Sequence, residues 1–490
     1  MLHIPDTPPL TLLRDFLLES GYKSERLSGE LGLSHTLFAN LTNLESLLER
    51  TRADARLPVL ARLFFAGWGV PKETCRRHIP ENVLQLCLAG NVLSERDGDF
   101  WPEAVLVPFE NFLFACDAPQ ARQRNRDVVI GPSATTNLLA KAALRTPCES
   151  VLDIGTGTGV LAILATRFSS RVTATDVNER ALSFARFNAA LNGVEGVEFV
   201  AGDALAPVHG RRFARILANP PFFLAAKRRF THSDSPIELD GFTRKLAMEA
   251  PQHLEENGVF QMICEWVQVE GESSDQRLRS WTAGSGCDVF VLMGPSFAPA
   301  AYAERRHNEA ATLYRDGNED SLSERLNYLL GHGVEYVRSG IFTMRKRTGN
   351  NWFTAVSGDF TKGTAVAIQQ RMAGLKWLNE HTADEWLAAR LRLTPDTLIK
   401  QTTTLGENGW RANVQISKAD GIEDALSIDL AVLRTIELFD GSRTLQEITG
   451  QMARVQEIPT EEAKAKCLSL AKRLLQSGFV MPVDERANQQ

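Results

Sequence analysis

Between residues 150 and 348 the chain alternates short apolar runs with longer amphipathic ones. The runs at 150–154, 171–176, 196–200, 213–218, 257–264 and 287–292 have strand length. The segments 159–168, 178–192 and 240–254 carry apolar residues at helical spacing and are long enough to cross from one strand to the next. This alternation predicts an α/β fold, a parallel, doubly wound, Rossmann-like sheet with helices on both faces. Residues 334–347, with an internal Ser339-Gly340, would add an antiparallel seventh strand, and 131–144 a helix ahead of the first.

The flanks read differently. Helices are expected over 10–18, 24–31, 43–50, 57–66 and 80–88, with another opening at Pro71-Lys72-Glu73-Thr74. A short strand at Val92-Leu93, a turn at Asp97-Gly98-Asp99 and an apolar run at 104–107 follow, and together 57–117 make a winged-helix-like pattern. Its third helix, Glu81-Asn82-Val83-Leu84-Gln85-Leu86-Cys87-Leu88, contains no Lys or Arg, which favours a structural or protein-contact role over one in a DNA groove. Arg122, Arg124 and Arg126 mark a polar connector, either a solvated linker or a phosphate-contacting strip. The expected domains are therefore 1–117 and 127–348. Residues 350–420 form a mixed connecting segment, with strand-like runs at 364–368 and 412–416 and a helix around 374–379. Residues 421–490 form a C-terminal winged-helix-like domain, with helices over 430–439, 444–453 and 460–477 and a strand at 479–481. Its last helix carries Lys464, Lys466, Lys472 and Arg473 but also Glu461 and Glu462, which reads as a solvated face first and a nucleic-acid face second.

Composition narrows the partners. The net charge of −6 on 490 residues, with a pI near 5.9, gives no global field for nucleic acid or an anionic membrane. The 7 cysteines are scattered without a C-x-x-C pair, so neither a metal site nor a disulfide framework is expected. No stretch approaches the roughly 18 apolar residues a membrane span requires, and no signal peptide is evident, so a cytoplasmic location is expected.

Candidate chemistry sits in two blocks. The first is Val151-Leu152-Asp153-Ile154-Gly155-Thr156-Gly157-Thr158-Gly159, a buried strand entering a glycine-rich turn. Alternate glycines let the backbone approach a ligand closely. The acidic residue ahead of them suits the cationic, phosphate-free cofactor S-adenosylmethionine (SAM) better than a dinucleotide pyrophosphate. Asp176 ends the second strand and can accept ribose hydroxyls, with Val177 beside it. Asp203 and Ala204 follow the third strand, where an adenine amino group could be met. Either aspartate alone could be a helix cap. The second block, Asn219-Pro220-Pro221-Phe222, follows the fourth strand. It offers an amide acceptor, two rigid prolines and an aromatic ring to a planar nitrogen nucleophile.

On these residues the segment 127–348 resembles the class I SAM-dependent N-methyltransferases, in the branch with an Asn/Asp-Pro-Pro-Tyr/Phe motif. The three-part layout resembles a group of uncharacterised bacterial methyltransferase-like proteins. The resemblance implies a seven-stranded methyltransferase sheet with SAM held by Asp153, Gly155, Thr156, Gly157, Gly159, Asp176, Val177, Asp203, Ala204 and Asn219. It implies that Asn219, Pro220, Pro221 and Phe222 hold the acceptor. Phe at 222 and the segment Gly131-Pro132-Ser133-Ala134-Thr135 look more like relatives that methylate exocyclic amines of RNA bases, and Lys227, Arg228 and Arg229 just past the motif would place positive charge at the substrate mouth. RNA is accordingly the first expectation for the acceptor. A protein glutamine, a small molecule, or a non-catalytic interaction role for the fold are the alternatives. The carboxylates of 235–241 would contact substrate or cap the next helix.

Overall fold

A computed structural model describes residues 2–32, 44–118, 127–227, 233–313, 321–359, 363–395, 397–406, 409–422 and 425–483. Arg122, Arg124, Arg126, Arg228 and Arg229 lie outside these residues. The chain forms two compact units, one of Met1–Ala140 with Arg145–Thr348, the other of Lys141–Leu144 with Gly349–Gln490.

Seven strands of the first unit lie in one sheet: β1 (Cys148–Ile154), β2 (Ser169–Asp176), β3 (Val197–Ala201), β4 (Phe213–Ala218), β5 (Leu254–Val269), β6 (Cys287–Phe297) and β7 (Val334–Lys346). Their order is β3-β2-β1-β4-β5-β7-β6. β1 to β5 run parallel to one another, and β7 runs antiparallel to both β5 and β6. The strands form where the apolar runs predict them because Leu152, Ile216, Phe260, Val291 and Phe342 are all fully buried. Chain order reverses at β1, which lies between β2 and β4, and a ligand crevice opens at such a point. Register then sets the site. Ile154 sits beside Thr175 on one side and Ala218 on the other, so Gly155, Asp176 and Asn219 emerge side by side at one sheet edge.

Helices α1 (Ala134–Ala142), α2 (Val160–Ala165), α3 (Glu179–Leu191) and α4 (Gly241–Glu249) fall within the expected segments. Residues 250–254 depart from expectation: a 3-10 turn at Ala250–His253 ends the helix, and Leu254 already belongs to β5. Three further helices were not expected: α5 (Gln276–Thr282), α6 (Pro299–Leu313) and α7 (Leu322–Gly331). The last two lie between β6 and β7.

The N-terminal part of this unit contains helices Arg56–Phe64, Lys72–His78 and Glu81–Ala89, with a small sheet in which Asp99–Pro102 pairs with both Val70–Pro71 and Leu93–Arg96. The apolar run at 104–107 extends to the strand Ala104–Phe109, which pairs with Phe112–Asp117. That hairpin docks on α3. Asn188 Oδ1 accepts the Ala115 N–H (2.7 Å) and its Nδ2 donates to the Ala115 carbonyl (3.1 Å). Asn192 does the same with Leu113, at 3.0 and 2.7 Å. The match is geometric: four helical residues advance about 6 Å and two strand residues about 6.6 Å. Arg180 adds a bond from Nη1 to Asp117 Oδ2 at 2.6 Å, and Asp117 is almost wholly buried.

In the second unit the strand expected at 364–368 is instead the start of a helix, Thr364–Glu380. Ile368, Met372 and Leu375 share its buried face at helical spacing, and that outweighs the local β-branched run. Strand 412–416 lies within Gly409–Lys418, paired antiparallel with Thr397–Gly406. Helices Leu430–Ile436, Leu445–Gln456 and Thr460–Gln476 and the strand Val480–Pro482 follow the expected order.

Candidate functional site

A cavity of about 1000 Å³ opens where the reversed strand order predicts it. Every site residue expected from the sequence lines it except Gly159. Gly159 serves the turn itself, since it sits at the N-cap of α2 with φ +83°, and a Cβ there would lie 3.1 Å from that of Ala185. Gly155 and Gly157 also have positive φ, +68° and +55°, so the whole turn needs glycine.

Asp153 is almost fully buried under that turn. Its Oδ2 accepts from Thr156 Oγ1 at 2.6 Å and from the Ala162 N–H at 3.1 Å, whereas its Oδ1 is sealed from solvent with no partner. Burial pushes this carboxyl up to about 7, against the downward pull of its two hydrogen bonds. Asp176 receives the Gly157 N–H (2.8 Å) and the Asn178 N–H (2.9 Å), one on each oxygen, which ties the glycine turn to the end of β2. Its carboxyl is also raised by burial, with these backbone bonds opposing. Beside it Val177 is 61% exposed, an apolar face presented at the cavity. Asp203 stands at the rim, 3.9 Å from Lys245.

Asn219 leaves the end of β4 and is anchored by its amide nitrogen. Nδ2 lies 3.3 Å from Thr135 Oγ1 and 3.2 Å from Thr136 Oγ1, and Ser133 Oγ bonds both hydroxyls. Among the described residues nothing donates to Asn219 Oδ1. Phe222 is 5% exposed and meets Phe223 edge to face, with centroids 5.1 Å apart. Helix α6 supplies the wall behind them. The Arg306 guanidinium lies 3.3 Å from the centre of the Phe223 ring, and its Nη2 bonds Glu265 Oε1 on β5 at 2.7 Å. Tyr302 donates to Glu265 Oε2 (2.6 Å) and accepts the Leu224 N–H (3.1 Å). This buried network fixes the backbone just after the Pro-Pro pair.

The segment 235–241 behaves otherwise than expected. Asp240 neither caps α4 with its side chain nor lines the cavity. It is buried, accepting from the Val267 N–H (3.0 Å) and Arg277 Nε (2.7 Å). Glu238 bonds His332 at 2.9 Å. The cavity is instead met by Pro236 and Ile237. Lys227, expected to bring positive charge to the mouth, lies 3.5 Å from Glu324.

Comparison with known proteins agrees with this geometry. Residues 132–270 match the family described as Methyltransferase small domain. The chain carries a class I SAM-dependent N-methyltransferase domain. Residues 370–482, in the second unit, match a family described only as a domain of unknown function. The chain is 29% identical over 294 residues to a release factor glutamine methyltransferase of Chlorobaculum tepidum, covering 56% of this chain and 89% of that one. It is 50% identical over 131 residues to the enzyme of the same description from Deinococcus radiodurans, covering 26% of this chain and 46% of that one. A ribosomal protein uL3 glutamine methyltransferase of Bradyrhizobium diazoefficiens is 34% identical over 133 residues, 24% of this chain and 41% of the relative. The match thus spans less than half of the latter two proteins.

SAM is the cofactor of such a methyltransferase domain, and the residues present fit it. The partnerless Asp153 Oδ1 lacks a donor of the kind a charged amino group supplies, and the exposed Val177 offers an apolar surface beside the Asp176 carboxylate. Thr136, Tyr302, Arg306, Glu265 and Arg325 of the methyltransferase site were not found from sequence. Thr136 stands one residue past a segment already singled out. Glu265 stands one residue past the strand expected at 257–264, and Tyr302, Arg306 and Arg325 lie in a stretch for which no element was expected.

Proposed function

We propose that this domain methylates the side-chain amide nitrogen of a protein glutamine. The observation that carries the reading is how Asn219 is held: two threonine hydroxyls take its NH2, which leaves its carbonyl oxygen to accept one N–H of a primary amide. In this reading the Pro220 carbonyl, on a backbone stiffened by two prolines, accepts the second. An amide lone pair is delocalised and weakly nucleophilic. Holding both N–H groups orients it and favours the pyramidal nitrogen of the transition state. The glycine turn, Asp153 and Asp176 would hold SAM, which would supply an electrophilic methyl carbon. No strong base is required, because the amide proton becomes acidic as the carbon–nitrogen bond forms.

Two features favour a glutamine over the RNA base first expected. Base recognition of this kind uses an open aromatic face, but Phe222 is nearly buried and the Phe223 face carries Arg306. The relatives named above act, by their descriptions, on glutamines of release factors and of a ribosomal protein. The test is mass spectrometry of tryptic peptides and RNA nucleosides from strains with and without this chain, followed by methyl transfer to the purified candidate. A methylated glutamine that disappears with the chain, and with Asn219→Ala, is the expected result. A missing methylated nucleoside with an unchanged peptide set would overturn the reading.

A further inference from the structure

Among the described residues, one charge in the cavity has no counter-charge. Arg325, in the first turn of α7, is 6% exposed and lines the cavity together with Asn219 and Phe223. Its Nε is sealed from solvent without a partner, and among the described residues no carboxylate pairs with its guanidinium. The direction it faces is set by packing. One turn further along α7, Leu329 joins Leu224, Val267 and Tyr302 in a single apolar cluster, so this helix face lies against the segment just after Phe222.

Neighbouring groups are already committed. Arg306 is taken by Glu265 and Glu309, and Arg305 Nε by Glu309 at 2.9 Å. Glu324, adjacent in sequence, closes the capping box with Ser321 and lies 3.5 Å from Lys227. A largely buried guanidinium whose Nε is out of water without a partner is costly to maintain. It is tolerated where a ligand brings the charge, and the planar fork of arginine matches a carboxylate bidentately.

We infer that Arg325 is a specificity-determining residue that binds a carboxylate of the acceptor polypeptide, carried by an acidic side chain close in sequence to the methylated glutamine. The inference rests on the glutamine reading above. A single carboxylate fits the site better than a phosphate backbone. The other cations lining the cavity, Lys245, Arg305 and Arg306, already face carboxylates, which leaves one guanidinium rather than a basic strip, and the chain is acidic overall.

The test uses the full chain with labelled SAM and a set of short peptides. Each has one central glutamine and, at one flanking position in turn, Asp, Glu, Ala or Lys. Wild type should favour the best acidic peptide over its Ala counterpart by about tenfold or more in kcat/KM, chiefly through KM. Arg325→Gln should bring that ratio close to one, Arg325→Lys should restore part of it, and Arg325→Glu should turn the preference toward Lys. Unchanged SAM affinity in the variants would show that the fold is intact. Peptides methylated with no acidic preference, in wild type and Arg325→Gln alike, would overturn this inference and leave the glutamine reading standing. Methylation of an RNA oligonucleotide but of no peptide would overturn both. Independently of turnover, calorimetry should show glutarate binding the SAM-loaded wild type at least tenfold more tightly than Arg325→Gln, and equal binding would also overturn the inference.

Discussion

Replacing Asp153 with Asn should make the SAM-free protein more stable above neutral pH while weakening its hold on SAM. Burial raises this carboxyl from 3.8 to about 7, so the folded state binds its proton more tightly than the unfolded state does. The sign follows from linkage: stability is fully present below about pH 4, is lost as pH rises to about 7, and is flat above that. At about 1.4 kcal/mol per pH unit, the interval corresponds to roughly 4 kcal/mol. Asn never ionises and escapes that loss. Oδ2 keeps its role as acceptor for Thr156 and Ala162, but the new NH2 occupies the position of the partnerless Oδ1, with one more N–H to satisfy than the neutral acid has. That takes back about 1 kcal/mol. The variant should therefore exceed wild type by about 3 kcal/mol at pH 8 to 9 and fall slightly below it near pH 4.

SAM binding should move the other way. In wild type, affinity should fall as pH drops through about 7 and the carboxylate is protonated. In Asp153→Asn it should be independent of pH in that range and weaker by about 1.5–3 kcal/mol, the usual worth of a charge-assisted hydrogen bond. Urea unfolding of both proteins between pH 4 and 9, with calorimetric titration of SAM over the same range, supplies both curves. Stability curves that run parallel at all pH values would show that Asp153 is not ionising in this range, and the argument from its burial would fail.

Other substitutions probe the acceptor side. Asn219→Ala should retain SAM binding but slow single-turnover methyl transfer by about 100-fold, as for one lost oriented donor or acceptor. Asn219→Asp should retain more activity, because the Thr135 and Thr136 hydroxyls can turn to donate to it. Arg306→Ala strands the buried Glu265 carboxylate and should cost about 3–5 kcal/mol in thermal or urea unfolding. Tyr302→Phe, which loses one bond to Glu265 and the acceptor for the Leu224 N–H, should cost about 1–3 kcal/mol and be milder.

What could be read from the sequence follows the physics of each signal. Buried parallel strands are apolar without period and end at glycine or aspartate, so the order of elements from β1 to β7 and the residues at their C-terminal ends were visible. Burial of charge was not. Arg306 and Glu309 on α6 have the spacing of a solvated helix face, and only the fold shows that Arg306 is enclosed between Phe223 and Glu265. Gly374 was likewise misleading. The helix expected around 374–379 begins earlier, so Gly374 lies in the middle of Thr364–Glu380, where a Cβ would come within 2.3 Å of the Leu475 carbonyl. Close helix–helix approach, not a helix start, is what requires glycine there.

Asn188 and Asn192 are the clearest case of function hidden in ordinary helix, and they change how the N-terminal residues are understood. Read from sequence, 1–117 is a separate domain with a structural or protein-contact role. In the structure its last hairpin strand is held by both asparagines, and Asn188 Nδ2 also donates to the Thr158 carbonyl, 2.9 Å away, inside the glycine turn. One side chain thus ties the hairpin to the loop expected to carry SAM. Asn188→Ala would leave the Ala115 N–H and carbonyl and the Thr158 carbonyl without partners in a buried setting. At about 1–3 kcal/mol for each unsatisfied group, partly relieved by rearrangement, a loss of roughly 3–5 kcal/mol is expected. Amide hydrogen exchange should speed up at Ala115 and Leu113, and SAM affinity should drop by about tenfold, because the turn loses its support. Deleting 1–117 should weaken SAM binding further, whereas an independent domain would leave it intact. Unchanged exchange at Ala115 together with unchanged SAM affinity in Asn188→Ala would separate the two parts again and return the N-terminal residues to a role outside the cofactor site.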